Sequence, residues 1–254
     1  MAYHFIAIIS DFSGGRRIGW HYSSEERLDK DYISKFFETV KEKCGKVQFG
    51  IHKLSTDSTS WKSVTQKDSF FSDVAVTGDI TSFIDVISRD KELTAYDVAK
   101  YVLSFKPCSH LKLQKLLYYI YAEFLLKTGE KLFKDPIVAF KYGPVVEEVF
   151  YKYKSNGKSI IDYQEDATIK IFTDDIVVTP SFMKVASSEY GIEAVQSIIK
   201  VLDKYGDYTP FRLVEMTHQE DGPWERAYEP GENCVITDDL ITQYHQYVTE
   251  KTLN

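Results

Sequence analysis

Apolar residues along this chain come in short runs and alternating stretches around one helical segment before about residue 90, and recur mainly at three and four positions after it. His4–Ser10 (HFIAIIS) is short, apolar and β-branched, which predicts a buried strand. Gly14-Gly15 then supplies a turn, with Arg16–Tyr22 as the returning arm of a hairpin. Asp29–Cys44 puts Tyr32, Ile33, Phe36, Phe37 and Val40 on one face, an amphipathic helix closed by Gly45. Lys46–Leu54 alternates, with Val47, Phe49 and Ile51 on one side, as a half-exposed strand does. Ser55–Ser60 (STDSTS) has the composition of a loop. Trp61–Thr65 and Val74–Val76 are candidate short strands, and Thr81–Ser88 is a short helix or strand. Residues 1–90 therefore read as a small α+β domain.

From 93 to 254 the pattern is mainly helical. Thr94 and Asp97 make a capping box for a helix carrying Val98, Ala99, Val102 and Leu103, which Pro107 terminates. The next helix, capped by Ser109, is apolar on more than one face: Leu113, Leu116, Leu117, Ile120, Tyr121, Phe124 and Leu125. Gly129 stops it, and its all-round apolarity puts it at the centre of the domain. Gly143-Pro144 reads as an N-cap and first helical residue, since proline's missing N–H costs nothing there, with a helix over Val145–Tyr153. Glu147 and Glu148 fall in its first turn, where the helix dipole explains them. Thr168–Phe172 and Ile176–Thr179 around Asp174-Asp175 predict a small β-hairpin. Helices follow from Thr179-Pro180, over Ile192–Tyr205, from Thr209-Pro210, at Gly222-Pro223-Trp224 and over Asp238–Thr249.

Composition narrows the function classes. The 254 residues are 43% hydrophobic and 15% aromatic, enough for a substantial core. A formal charge of −7 argues against a protein that coats nucleic acid or anionic membrane, although a local basic patch remains compatible with it. No helix-turn-helix with a basic recognition face is evident, so DNA binding is not expected. Cys44, Cys108 and Cys234 are isolated, which fits a reducing cytosol and gives no metal signature. Phe5–Ile9 is too short for the apolar region of a signal peptide, and no stretch approaches a membrane span, so a cytoplasmic location is expected.

Candidate chemistry is thin. Asp11–Gly15 (DFSGG) lacks the lysine and the following helix of a phosphate loop, so it reads as an ordinary turn. His218, Glu220 and Asp221 come without a nucleophile or the three or four ligands of a zinc site. We therefore expect no enzyme activity, cofactor or metal. His218 is read as bonding across a helix end, and Trp224 as a core plug. Gln114 and Lys115 interrupt the central apolar helix. The plain account has Gln114 bonding nearby backbone and Lys115 reaching solvent; the functional one makes them a partner groove beside Tyr118 and Tyr119.

Three motifs recur together in order: Leu113–Tyr119 (LQKLLYY), Gly143-Pro144-Val145, and His218 followed by Pro223-Trp224. In this the chain closely resembles the Panacea, or SocA-like antitoxin, family over about 95–230. The resemblance implies a helical domain that binds and neutralises an adjacently encoded toxin. In one branch of the family it also implies an adaptor that delivers the toxin to a protease, and the setting is bacterial or prophage. The expected partner anchors are Gln114, Lys115, Tyr118, Tyr119, Tyr142, Gly143, Pro144 and Tyr151, and the structural motif residues are His218, Pro223 and Trp224. Residues 1–90 lie outside the shared pattern and are the candidate for partner selectivity. The alternative is a phage or prophage effector that binds and inhibits a host protein.

Overall fold

A computed structural model describes residues 1–11, 16–45, 47–164, 171–173 and 176–249. The chain forms two compact units, Met1–Glu92 and Leu93–Asn254.

In the first unit β1 (Ala2–Asp11) and β2 (Arg16–Ser24) form an antiparallel hairpin. Its turn, Phe12–Gly15, lies outside the described residues, and with it most of the DFSGG motif. Helix α1 (Lys30–Cys44) is capped by Asp29 and closed by Gly45. Strand β3 (Gly50–Thr56) pairs antiparallel with β1; helix α2 (Trp61–Lys67), strand β4 (Val74–Thr77) and helix α3 (Ile80–Lys91) complete the unit. The sheet order is β3-β1-β2-β4, with β4 parallel to β2.

Both faces of this sheet are covered, which is why β1 reads as a continuous apolar run. Phe5, Ala7, Ile18 and Trp20 pack under α1 and α3, with Trp20 stacked on Phe36 at 4.1 Å. Ile6 and Ile8 meet Val64, Phe71 and Val74 on the other side. His4 shares the Ile6 face and is fully buried. Its ring nitrogens lie 2.8 Å from His21 Nε2 and 2.8 Å from Thr56 Oγ1, tying the strands to the serine-rich loop.

Two expectations in this unit are corrected. Trp61–Thr65 is helical rather than a strand, because Ser60 accepts from the Ser63 N–H and starts α2, with Val64 as its buried residue. The strand expected over Lys46–Leu54 begins only at Gly50. Val47 and Phe49 pack on the aromatic core ahead of it, and Lys46 lies outside the described residues.

The second unit is mainly α. Helix α4 (Ala95–Phe105) carries the complete Thr94/Asp97 capping box. Helix α5 (His110–Thr128) buries twelve residues around nearly its whole circumference and ends at Gly129, whose left-handed φ of 76° suits glycine. Strands β5 (Ile137–Phe140) and β6 (Gly143–Val146) form an antiparallel hairpin that leads directly into α6 (Glu147–Tyr153). A second hairpin, β7 (Ile171–Thr173) and β8 (Ile176–Val178), lies where one was expected. Thr168–Lys170 and its turn, Asp174-Asp175, lie outside the described residues. Then follow α7 (Pro180–Ala186), α8 (Gly191–Tyr205), α9 (Pro210–Thr217), α10 (Pro223–Ala227) and α11 (Asp238–Tyr244). Thr179 and Thr209 cap α7 and α9 ahead of their prolines. No described helix is long and apolar enough to cross a membrane.

The expectation for Gly143-Pro144 is also corrected: these residues open a strand, and the helix starts four positions later at Glu147. Val145 and Val146 favour extended backbone and pair with Val138 and Ile137. Pro144 is tolerated because, among the described residues, β6 has no further strand on its outer side.

Candidate partner-binding site

Helix α5 grips the β5–β6 hairpin from its β6 edge. The Val146 N–H donates to Gln114 Oε1 at 2.8 Å, and Lys115 Nζ donates to the Pro144 carbonyl at 2.8 Å. Two adjacent side chains thus take the place of a neighbouring strand. Gly143 sits against the same ammonium with φ 99°, and a Cβ there would lie 2.7 Å from Lys115 Nζ and 2.8 Å from Thr217 Oγ1. Only glycine meets both the backbone and the space requirement.

The opposite edge, β5, is paired too. Ala139 N–H donates to the Cys234 carbonyl and Ile236 N–H to the Ile137 carbonyl, each at 2.8 Å. Near the turn, Trp224 Nε1 donates to the Phe140 carbonyl at 2.8 Å. His218 packs on Trp224 with ring centres 3.7 Å apart. Its ring nitrogens face the Val214 carbonyl at 2.7 Å and the Lys141 carbonyl at 3.2 Å, strapping the end of α9 to the turn. Pro223 is buried as the first residue of α10 and sets Trp224 in place. All three sequence motifs therefore act on one object, this hairpin.

Lys115 is 0% exposed, and no described carboxylate pairs with it. Loss of hydration pushes its ammonium pKa down to about 7. His110, at the start of α5, is also pushed down, first by burial and then by the Lys115 charge.

The eight expected anchors divide sharply. Gln114, Lys115, Gly143 and Pro144 are buried inside the hairpin clamp. Lys115 does not reach solvent, because β6 closes over it. Tyr118 and Tyr119 are each 1% exposed and face the C-terminal segment. Tyr118 OH lies 3.2 Å from His245 Nδ1, while Tyr119 OH donates to the Val248 carbonyl at 2.9 Å and its ring stacks on Tyr205. A partner groove lined by these residues is thus corrected to an internal framework, since α5 is covered on nearly every side. Tyr142 and Tyr151 are different: they are 62% and 55% exposed.

Sequence reasoning missed the connection between the two exposed tyrosines. Phe140 and Phe150 touch at 5.4 Å, and Phe150 touches Tyr151 at 5.4 Å, so α6 folds back along the hairpin toward its turn. The signal was Phe140 and Tyr142 just before the Gly-Pro-Val-Val run and Phe150-Tyr151 one helical turn after it. Elsewhere, Glu229, Glu232 and Cys234 place three ligand atoms within 4.8 Å. A structural zinc site asks for a fourth ligand.

Residues 113–225 match the family described as antitoxin SocA-like, Panacea domain. The match opens at the first residue of LQKLLYY and closes just past Pro223-Trp224, inside the wider 95–230 expected. The chain is also similar to Antitoxin SocA of Caulobacter vibrioides (strain NA1000 / CB15N), at 32% identity over 128 residues. That alignment covers 50% of this chain and 64% of that protein, so the chain spans less than two thirds of its relative. No solved structure matches.

Proposed function

We propose that this protein is the antitoxin of a toxin–antitoxin pair, a non-enzymatic binding protein that holds a cognate, adjacently encoded toxin inactive by direct contact in the cytoplasm. The observation that carries this reading is the SocA-like match over the segment whose motif residues build the clamped hairpin. Its polar side chains support binding over catalysis. Gln114, Lys115 and Trp224 bond hairpin backbone, as His218 does at the turn, and none is offered to a substrate.

Co-expression with the neighbouring small reading frame tests the reading. The neighbour alone should arrest growth, and this chain should restore it and co-purify with the neighbour. A harmless neighbour, or unrelieved arrest, refutes the pairing and favours the host-directed effector. Delivery of the toxin to a bacterial protease is a second route within the same reading; a pulse-chase that shows a shortened toxin half-life separates it from masking. We assign partner selectivity to the first unit. Deleting 1–92 should abolish protection while the second unit stays folded, and retained protection would remove that assignment.

A further inference from the structure

Several cations of the second unit are spent on neighbouring acids. Lys100 pairs with Asp97, Lys106 with Asp207, Lys131 with Asp238, Lys200 with Glu123 and Arg226 with Asp221. The stretch from the β5–β6 turn to Lys158, just past α6, carries three that are not. Lys141, Lys154 and Lys158 are exposed, and none forms an ion pair among the described residues. Instead Lys141 lies over the Tyr142 ring at 5.7 Å and Lys154 over the Tyr151 ring at 4.6 Å. Of the two acids in the stretch, Glu147 accepts from the Asn233 amide at 3.1 Å, and Glu148 shares a hydrogen bond with Asp135 and feels the charge of Lys152 rather than that of Lys141 or Lys154. The result is a cationic, tyrosine-bearing ridge on a chain whose formal charge is −7.

Rigidity adds to this. The turn that presents Tyr142 is held by α5, by the 234–236 segment and by the His218–Trp224 strap, so docking there would cost little ordering entropy. Exposed tyrosines on a fixed frame are the residues that anchor protein interfaces, and lysines around them steer an oppositely charged partner. A nucleic acid is the less favoured occupant, because the acidic remainder of the chain would repel a long polyanion.

We infer that the ridge formed by the β5–β6 turn, α6 and its C-cap Lys154, with Tyr142 and Tyr151 as anchors and Lys141 and Lys154 as the charged rim, is the docking surface for an acidic face of the partner toxin. This rests on the antitoxin reading above. The test measures binding of the purified adjacent-frame product to the full chain and to two double variants, Tyr142→Ala/Tyr151→Ala and Lys141→Glu/Lys154→Glu. All four side chains are exposed, so thermal melting should match wild type. The tyrosine pair should weaken binding on the order of 100-fold. The charge reversal should slow association on the order of 10-fold and invert its salt dependence. Wild-type binding with both variants equally tight overturns the surface but leaves the antitoxin reading standing. Failure of the wild type to bind overturns both. An oligonucleotide of about 20 nucleotides serves as the competing probe. If it binds the ridge and is lost in the variants while toxin binding is unchanged, the ridge belongs to nucleic acid and the inference is wrong.

Discussion

Lys115 offers the sharpest test of the hairpin clamp. Its ammonium is buried without a carboxylate and its pKa falls from 10.5 to about 7 in the folded chain. Below pH 7 both folded and unfolded states hold the proton, and the full cost of burying the charge is present. Between 7 and 10.5 the unfolded state keeps the proton while the folded state releases it, so stability rises with pH across that window. One pKa unit corresponds to about 1.4 kcal/mol, and with the folded group half deprotonated at pH 7 the gain from pH 7 to pH 9 is about 2 kcal/mol. Lys115→Met keeps the length and removes the titration. It also leaves the Pro144 carbonyl without its donor, a pH-independent cost of about 1–3 kcal/mol. Relative to wild type, the Met variant should therefore lose about 2 kcal/mol between pH 7 and pH 9. Hydrogen exchange in peptides from α5, followed through urea at several pH values, reads the second unit without interference from the first. Parallel pH curves for the two proteins would show that Lys115 does not titrate in this window and would sink the argument.

Other perturbations probe the remaining contacts. Trp224→Ala should cost about 3–5 kcal/mol in urea unfolding by emptying its place beside His218 and Tyr228. Trp224→Phe, which loses the bond to the Phe140 carbonyl and part of the ring, should cost about 1–2 kcal/mol, and a cost near zero would deny the hydrogen bond a role. Gly143→Ala meets both a positive φ and the Lys115 ammonium and should cost about 2–4 kcal/mol, with part of the loss recovered when Lys115→Ala is added; a tolerated alanine would contradict the close packing. In the first unit burial, followed by the His4 charge, holds His21 down at about 4 against an ordinary 6.5. Its contribution is complete above pH 6.5 and is lost as pH falls toward 4, so near-UV ellipticity should decay in that range, and less so in His21→Asn.

Local signals in the sequence were legible wherever a neighbour three or four residues away decided the outcome. The Thr94/Asp97 capping box, the Thr-Pro starts of α7 and α9 and the glycine stop of α5 are complete within one helical turn. Where the deciding partner was remote, the reading slipped. Gly-Pro at 143–144 has the local form of a helix start, yet β5 and the Gln114–Lys115 pair 29 and 32 residues earlier hold it extended. Trp61–Thr65 looked extended because its apolar residues are β-branched or aromatic, and Ser60 instead capped a helix.

The sequence by itself determined the helical order of the second part, the α+β character of the first, and the three motifs that fall within the segment similar to SocA-like antitoxins. Tertiary structure decided which tyrosines face outward. Tyr118, Tyr119, Tyr142 and Tyr151 are the same residue type in similar local settings, and their exposure depends on what covers them. Helix α5 is enclosed by α8, α9, α11 and β6, so its tyrosines turn into hydrogen-bonded core. The hairpin turn and the outer side of α6 have no such cover. Burial is a property of the assembled surroundings, and periodicity reports only the face a residue shares, not whether anything packs against that face.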